Sequence, residues 1–136
     1  MFAAALLAFA LQTAPPPPPR WQPTEADFIA RDVTFGSGEH MDEVRIHYAT
    51  LGRPHRNRRG EVDNAVLLLH GTGGSGRQFL APQFAGELFG PGQPLDIERY
   101  YVVMPDNIGH GRSSKPSDGL HMRFPHYDYD DMVALQ

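Results

Sequence analysis

The chain contains no cysteine, so disulfides, thiolate catalysis and Cys-containing zinc sites are all excluded. Positive charge is also scarce, with 12 Lys and Arg against 16 Asp and Glu and a formal net charge of -4. Such a balance gives no general attraction for phosphate backbones, so nucleic acid is not an expected partner. The one basic cluster, Arg53, His55, Arg56, Arg58 and Arg59, sits among Pro54, Asn57 and Gly60 and reads as a solvated loop. Long apolar runs are missing too. The segment Met1 to Ala10 is too short to span a bilayer, which argues against stable membrane insertion. Seven histidines remain as metal ligands, but none pairs with a second at i, i+4 around a glutamate, and His121 and His126 flank Pro125 in a loop-like stretch. No metal and no cofactor is expected.

What is present begins with a leader. Met1 to Ala10 is apolar and ends in the small-x-small pattern Ala8-Phe9-Ala10, so residues 1–14 read as a secretory signal, although no Lys or Arg precedes the apolar segment. If the leader is real the protein is exported, periplasmic or secreted; otherwise it is cytoplasmic. Pro15 to Pro19 fixes five successive φ angles without offering an amide donor, which makes residues 15–20 an extended polyproline spacer. The folded part, 21–136, starts near Trp21.

Within it, Phe28, Val33 and Phe35, and then Val44, Ile46 and Tyr48, fall in or near period-two spacing on either side of Gly36-Ser-Gly38. Two strands in an antiparallel hairpin are expected. Ala65-Val-Leu-Leu-Leu69 is a continuous apolar run without polar alternation, the pattern of a parallel strand covered on both faces. A helix is expected to start near Pro82, because proline is tolerated in a first turn and not inside a helix, with Phe84, Leu88 and Phe89 on one side and a stop at Gly90-Pro-Gly92. A second buried strand spans Tyr100 to Met104 and ends at Pro105-Asp106. Asn107 to Pro116 is too polar for a core, and Asp128, Asp130 and Asp131 mark a helix N-terminus before Met132 to Gln136.

The chemistry should lie in His70-Gly-Thr-Gly-Gly-Ser-Gly76, since ligands of parallel sheets bind at the carboxyl ends of strands. As a phosphate loop it has Arg77 and Gln78 where Lys and Ser or Thr belong. As a dinucleotide turn, Gly71, Gly73 and Gly76 satisfy G-x-G-x-x-G, with Asp106 as the ribose-binding acid. Pro82, however, delays the helix that should open there, and Asp106 lies well beyond the usual spacing of about 20 residues. As an oxyanion hole, small residues at Gly71, Gly73 and Gly74 would leave backbone N–H groups open to a substrate oxygen, with the N–H of Thr72 as the donor. A plain flexible crossover is the fourth reading.

Taken in order, Leu69-His-Gly-Thr-Gly-Gly74, a helix, Met104-Pro-Asp106 and Asn107-Ile-Gly-His-Gly-Arg-Ser-Ser114 resemble the N-terminal part of the α/β-hydrolase superfamily, whose D-x-x-G-x-G-x-S pattern Asp106 to Ser113 matches. Tyr48-Ala-Thr-Leu-Gly52, Asn64-Ala-Val66, and Gly90 to Asp96 with Arg99-Tyr100 look most like its homoserine O-acetyltransferase branch. The resemblance implies an α/β fold in which a leading antiparallel hairpin precedes parallel strands with crossover helices. It also implies Ser-His-Asp acyl transfer, with the serine in a G-x-S-x-G elbow. No such elbow occurs here: Arg77 follows Ser75, and Lys115 follows Ser113, where the second glycine belongs. Ser75, Ser113 and Ser114 therefore read as loop residues, and the chain as ending before nucleophile, acid and triad histidine. His70 and His110 are expected to shape their loops, as are Asp106 and Arg112. The implied function is esterase-like hydrolysis of a small ester or acyl substrate in the intact protein, with these 136 residues inactive alone. A homoserine acyltransferase and a noncatalytic binding protein of the same fold are the alternatives.

Overall fold

The computed structural model describes residues 21–136; the leader 1–14 and the polyproline spacer 15–20 lie outside the described residues. The apolar alternation produces the hairpin it predicts. Strand β1, Thr24–Thr34, pairs antiparallel with β2, His40–Leu51, in a register that sets Phe28 against Ile46 and Val33 against Met41. The turn closes through Phe35 N–H to the Glu39 carbonyl, 2.9 Å, and Gly38 there takes a φ of 83°, which only glycine adopts without strain.

Two further strands complete the sheet. β3, Ala65–Leu67, runs parallel to β4, Tyr101–Pro105, and β4 runs antiparallel to β2, so the order across the sheet is β1-β2-β4-β3. Because β3 and β4 are parallel neighbours, their carboxyl ends deliver two loops to the same edge of the sheet.

Strand alternation gives each face its own core. On one side Ala49, Leu51, Val102 and Met104 pack against Ala85 and Phe89 of α1, Pro82–Leu88 and its cap, with Trp21 meeting the Phe89 ring edge-on at 6.0 Å. Each fully buried side chain of this size contributes about 1.5–3 kcal/mol. On the other side Val44 and Ile46 join Phe35, Ile108 and Phe124, backed by Met132 and Leu135 from the region of α2, Tyr129–Ala134.

Three expectations change in detail. α1 starts at Pro82 as predicted, but its buried side is Ala85 and Phe89, four residues apart on one helix face, whereas Phe84 is 42 % exposed and lies edge-on to Phe79. α2 begins three residues before Met132, because Asp128 caps it: its carboxylate accepts from Asp130 N–H and Asp131 N–H, and Asp131 returns the bond to Asp128 N–H. The apolar run at 65–69 is not covered on both faces. Among the described residues β3 stands at the sheet edge and pairs with β4 alone; Leu68 turns to the core on the α1 side, while Leu67 and Leu69 are 46 % and 51 % exposed.

Before β4, the chain from Gly90 to Glu98 is wound around Asp96. Its buried carboxylate accepts Gly92 N–H at 2.7 Å and Glu98 N–H at 3.0 Å, and these two bonds hold its pKa below the usual carboxylate range.

Candidate functional site

The two loops at the carboxyl ends of β3 and β4 frame a cleft of about 290 Å³, lined by Leu69, His70, Gly71 and Thr72 on one side, Asn107 and His110 on the other, and Tyr129, Met132 and Val133 of α2 above. Leu68 N–H still pairs with the Val103 carbonyl at 2.9 Å, so the sheet holds the chain up to the residue before Leu69.

Gly71-Thr72-Gly73-Gly74 is then a tight turn. Gly74 N–H donates to the Gly71 carbonyl at 3.0 Å, Gly73 has a φ of 77°, and Thr72 is not among the residues of positive φ, which together define a type II turn with glycine at its obligatory third position. Gly73 N–H points at His110 Nε2, at the long distance of 3.5 Å. The N–H groups of Gly71 and Thr72 meet no acceptor among the described residues, and both residues are exposed at the cleft. Thus the three residues singled out from the sequence, Thr72, Gly71 and Gly73, lie together, with the Thr72 donor uncommitted.

The two histidines brace the loops against each other. His70 is buried; its Nδ1 donates to the Gly71 carbonyl at 2.8 Å and its Nε2 accepts Asn107 N–H at 3.0 Å, which a single tautomer satisfies. His110 repeats the pattern more loosely, Nδ1 to the Ile108 carbonyl at 3.2 Å and Nε2 from Gly73 N–H, and the two rings lie 5.3 Å apart. The Asn107 side-chain oxygen in turn accepts from Gln136, which ties the second loop to the end of α2.

Asp106 joins the loops from beneath. Only 3 % exposed, it accepts Gly76 N–H at 2.7 Å with one oxygen and Arg112 N–H at 2.7 Å with the other. Both flanking glycines are sterically required. A Cβ on Gly111 would fall 2.0 Å from the Asp106 carboxylate, and one on Gly76 would fall 2.3 Å from the Met104 carbonyl oxygen. A carboxylate spent on backbone amides is not available to a ribose, and the glycine loop opens onto a 3-10 turn, Gly76–Leu80, rather than directly onto a helix. Both facts weigh against a dinucleotide turn.

The serines are equally committed. Ser113 is fully buried: its hydroxyl donates to the Asp106 carbonyl at 2.7 Å and accepts His47 N–H at 2.9 Å, while Ser114 Oγ accepts Arg45 N–H at 2.9 Å. Ser75 precedes the 3-10 turn without capping it through its side chain. None of the three faces the cleft.

Sequence reasoning missed a polar cluster on the far side of these loops. Glu25 of β1 binds Arg77, just past the glycine loop, and Arg112 in the second loop, at 2.8 Å. Beneath it, buried His47 shares a 2.7 Å hydrogen bond between Nδ1 and Asp27, and its Nε2 has no hydrogen-bond partner and faces Glu25 Oε2 at 3.9 Å. Contacts between residues 52 and 87 positions apart carry no local sequence signal. Among the described residues no group of three His, Asp or Glu is placed to hold a metal ion, and no helix is long and apolar enough to cross a membrane.

No family model matches the sequence. A probable acyltransferase of Methanothermobacter thermautotrophicus is 34% identical over 113 residues, which is 80% of this chain and 33% of that protein. A homoserine O-acetyltransferase of Carboxydothermus hydrogenoformans is 34% identical over 120 residues, 77% of this chain and 31% of that protein. Among solved structures, an acetylester hydrolase from Corynebacterium glutamicum superposes with a TM-score of 0.66 at 20% identity, over 82% of this chain and 31% of that one. The chain thus spans about a third of the length of the curated relatives it matches. The ordered motifs, the sheet they build and these likenesses agree: the chain has part of the α/β-hydrolase fold and is similar in sequence to the homoserine O-acetyltransferase-like branch of that superfamily.

Proposed function

We propose that the intact protein hydrolyses a small ester or related acyl substrate through a serine nucleophile outside these 136 residues, and that this chain supplies the oxyanion donor, the Thr72 N–H. The observation that carries this reading is the uncommitted Thr72 N–H in a hydrogen-bonded turn at the carboxyl end of a parallel strand. An N–H fixed before reaction stabilises the negative oxygen of a tetrahedral intermediate without reorganising, which is the largest single term in much acyl chemistry. Support also comes from the absence of any G-x-S-x-G in the sequence and from the engagement of Ser113 and Ser114 elsewhere. Hydrolysis is preferred over transfer because the apolar leader favours export, away from a cytosolic acyl donor.

Acyl transfer to homoserine is the second reading, favoured by the curated relatives that carry that name. Supplying the intact protein with a chromogenic acetyl ester in one assay, and with an acetyl thioester plus homoserine in another, separates the two by which product forms.

The oxyanion role is tested by Thr72→Pro. Proline has no N–H and its fixed φ suits the second position of a type II turn, so the variant deletes the donor while keeping the turn. The expected loss is about 10²–10³ in kcat, with Thr72→Ala close to wild type because the side chain plays no part. A Thr72→Pro enzyme of undiminished kcat would refute the assignment.

A further inference from the structure

We propose that His70 is a positioning residue that aims the oxyanion donor, an inference that rests on the reading of Thr72 given above. The Gly71 carbonyl and the Thr72 N–H are the two ends of one peptide unit, planar and trans, so fixing the direction of the oxygen fixes the opposite direction of the hydrogen. Two donors converge on that oxygen, His70 Nδ1 at 2.8 Å and Gly74 N–H at 3.0 Å. The second belongs to the turn itself, and a turn flanked by glycines leaves its first peptide free to rock. The first comes from a ring that is buried and held at its far nitrogen by Asn107 N–H at 3.0 Å. His70 therefore transmits the position of the second loop, anchored on β4, to the peptide whose N–H faces the cleft. Hydrogen bonds on the carbonyl also polarise the peptide and strengthen its N–H as a donor. His110 makes no hydrogen bond to this peptide; it meets the next one, through Gly73 N–H, at 3.5 Å.

The two bonds of the imidazole can be dissected with amides. Asn places a donor near the position of Nδ1 and cannot reach Asn107, whereas Gln places an acceptor near Nε2 and loses the donor to Gly71. In the intact protein, with an acetyl ester as substrate, His70→Gln is expected to lower kcat on the order of tenfold to a hundredfold with KM unchanged, the mark of an interaction made only in the transition state. His70→Asn is expected to recover most of that loss. A trifluoromethyl ketone of the same acyl group, which forms the tetrahedral oxyanion, should bind His70→Gln more weakly by the factor lost from kcat, and this binding measurement remains readable if turnover is too slow to follow. Equal kcat for His70→Gln and wild type, an Asn variant no better than Gln, or unchanged ketone affinity overturns the proposal. If Thr72→Pro leaves kcat intact, the oxyanion reading itself fails; if Thr72→Pro is crippled while His70→Gln is not, only the role of His70 falls.

Discussion

Replacing Asp106 by alanine isolates the brace under the candidate site. The carboxylate is 3 % exposed and its two oxygens satisfy one amide each, Gly76 and Arg112, both at 2.7 Å. Bonds from a backbone amide to a charged acceptor are worth about 1.5–3 kcal/mol apiece, and a buried donor left unpaired pays its desolvation in full. Gly76 is itself buried, packed so closely under the Met104 carbonyl that a Cβ there would stand 2.3 Å from its oxygen. Asp106→Ala should therefore destabilise the protein by about 3–5 kcal/mol, and Asp106→Asn, which keeps one acceptor and turns an NH2 toward the other donor, by about 2–3 kcal/mol. Asp42→Ala serves as the control, because its side chain is 96% exposed and its one partner, His40, lies 3.6 Å away; such a surface change stays within about 0.5 kcal/mol. Urea melts give the ranking, and native-state hydrogen exchange gives the location, with the Gly76 and Arg112 amides losing protection together. If Asp106→Ala melts with the Asp42→Ala control, or if those two amides keep their protection, Asp106 does not hold the two loops together.

Two further substitutions test the frame. Gly52 has a φ of 76° and an added Cβ would stand 2.1 Å from the backbone oxygen of Tyr100, so Gly52→Ala should cost about 3 kcal/mol or more in urea melts, and a loss below 1 kcal/mol would contradict the placement of that turn. Asp96 has its pKa lowered in the folded state by the Gly92 and Glu98 amides, so below the ordinary carboxylate range the unfolded chain binds the proton first. Its contribution is present above about pH 4 and disappears as pH falls through the lower, folded value; Asp96→Asn should make the acid limb of a stability-versus-pH curve shallower, and an unchanged limb would speak against it.

Much of the frame was legible in the residues because it depends on short-range rules. Alternating Phe28, Val33 and Phe35 with Val44, Ile46 and Tyr48 could bury one face only as paired strands, and Gly38 could close them. Pro82 could begin a helix but not sit within one, and it does. Three acidic residues ahead of Met132 announced a helix start, yet which of them would cap it depended on whose oxygen reached the second and third amides, a geometric matter that favoured Asp128.

By itself, the sequence determined the order of the pieces, the glycine turn with Thr72 in it, and the absence of an elbow serine, since each of these follows from residue type and local spacing. Only the tertiary structure decided what those pieces do to one another. Asp106 faces two amides rather than a ligand, Ser113 is sealed under β2, His70 grips the Gly71 carbonyl from one side and the second loop from the other, and Glu25 reaches both loops from β1. The reason is physical: a hydrogen bond to the next residue or the next turn is written in the chain, but one that spans 37 or 87 positions exists only after two strands have paired and brought their ends to the same edge.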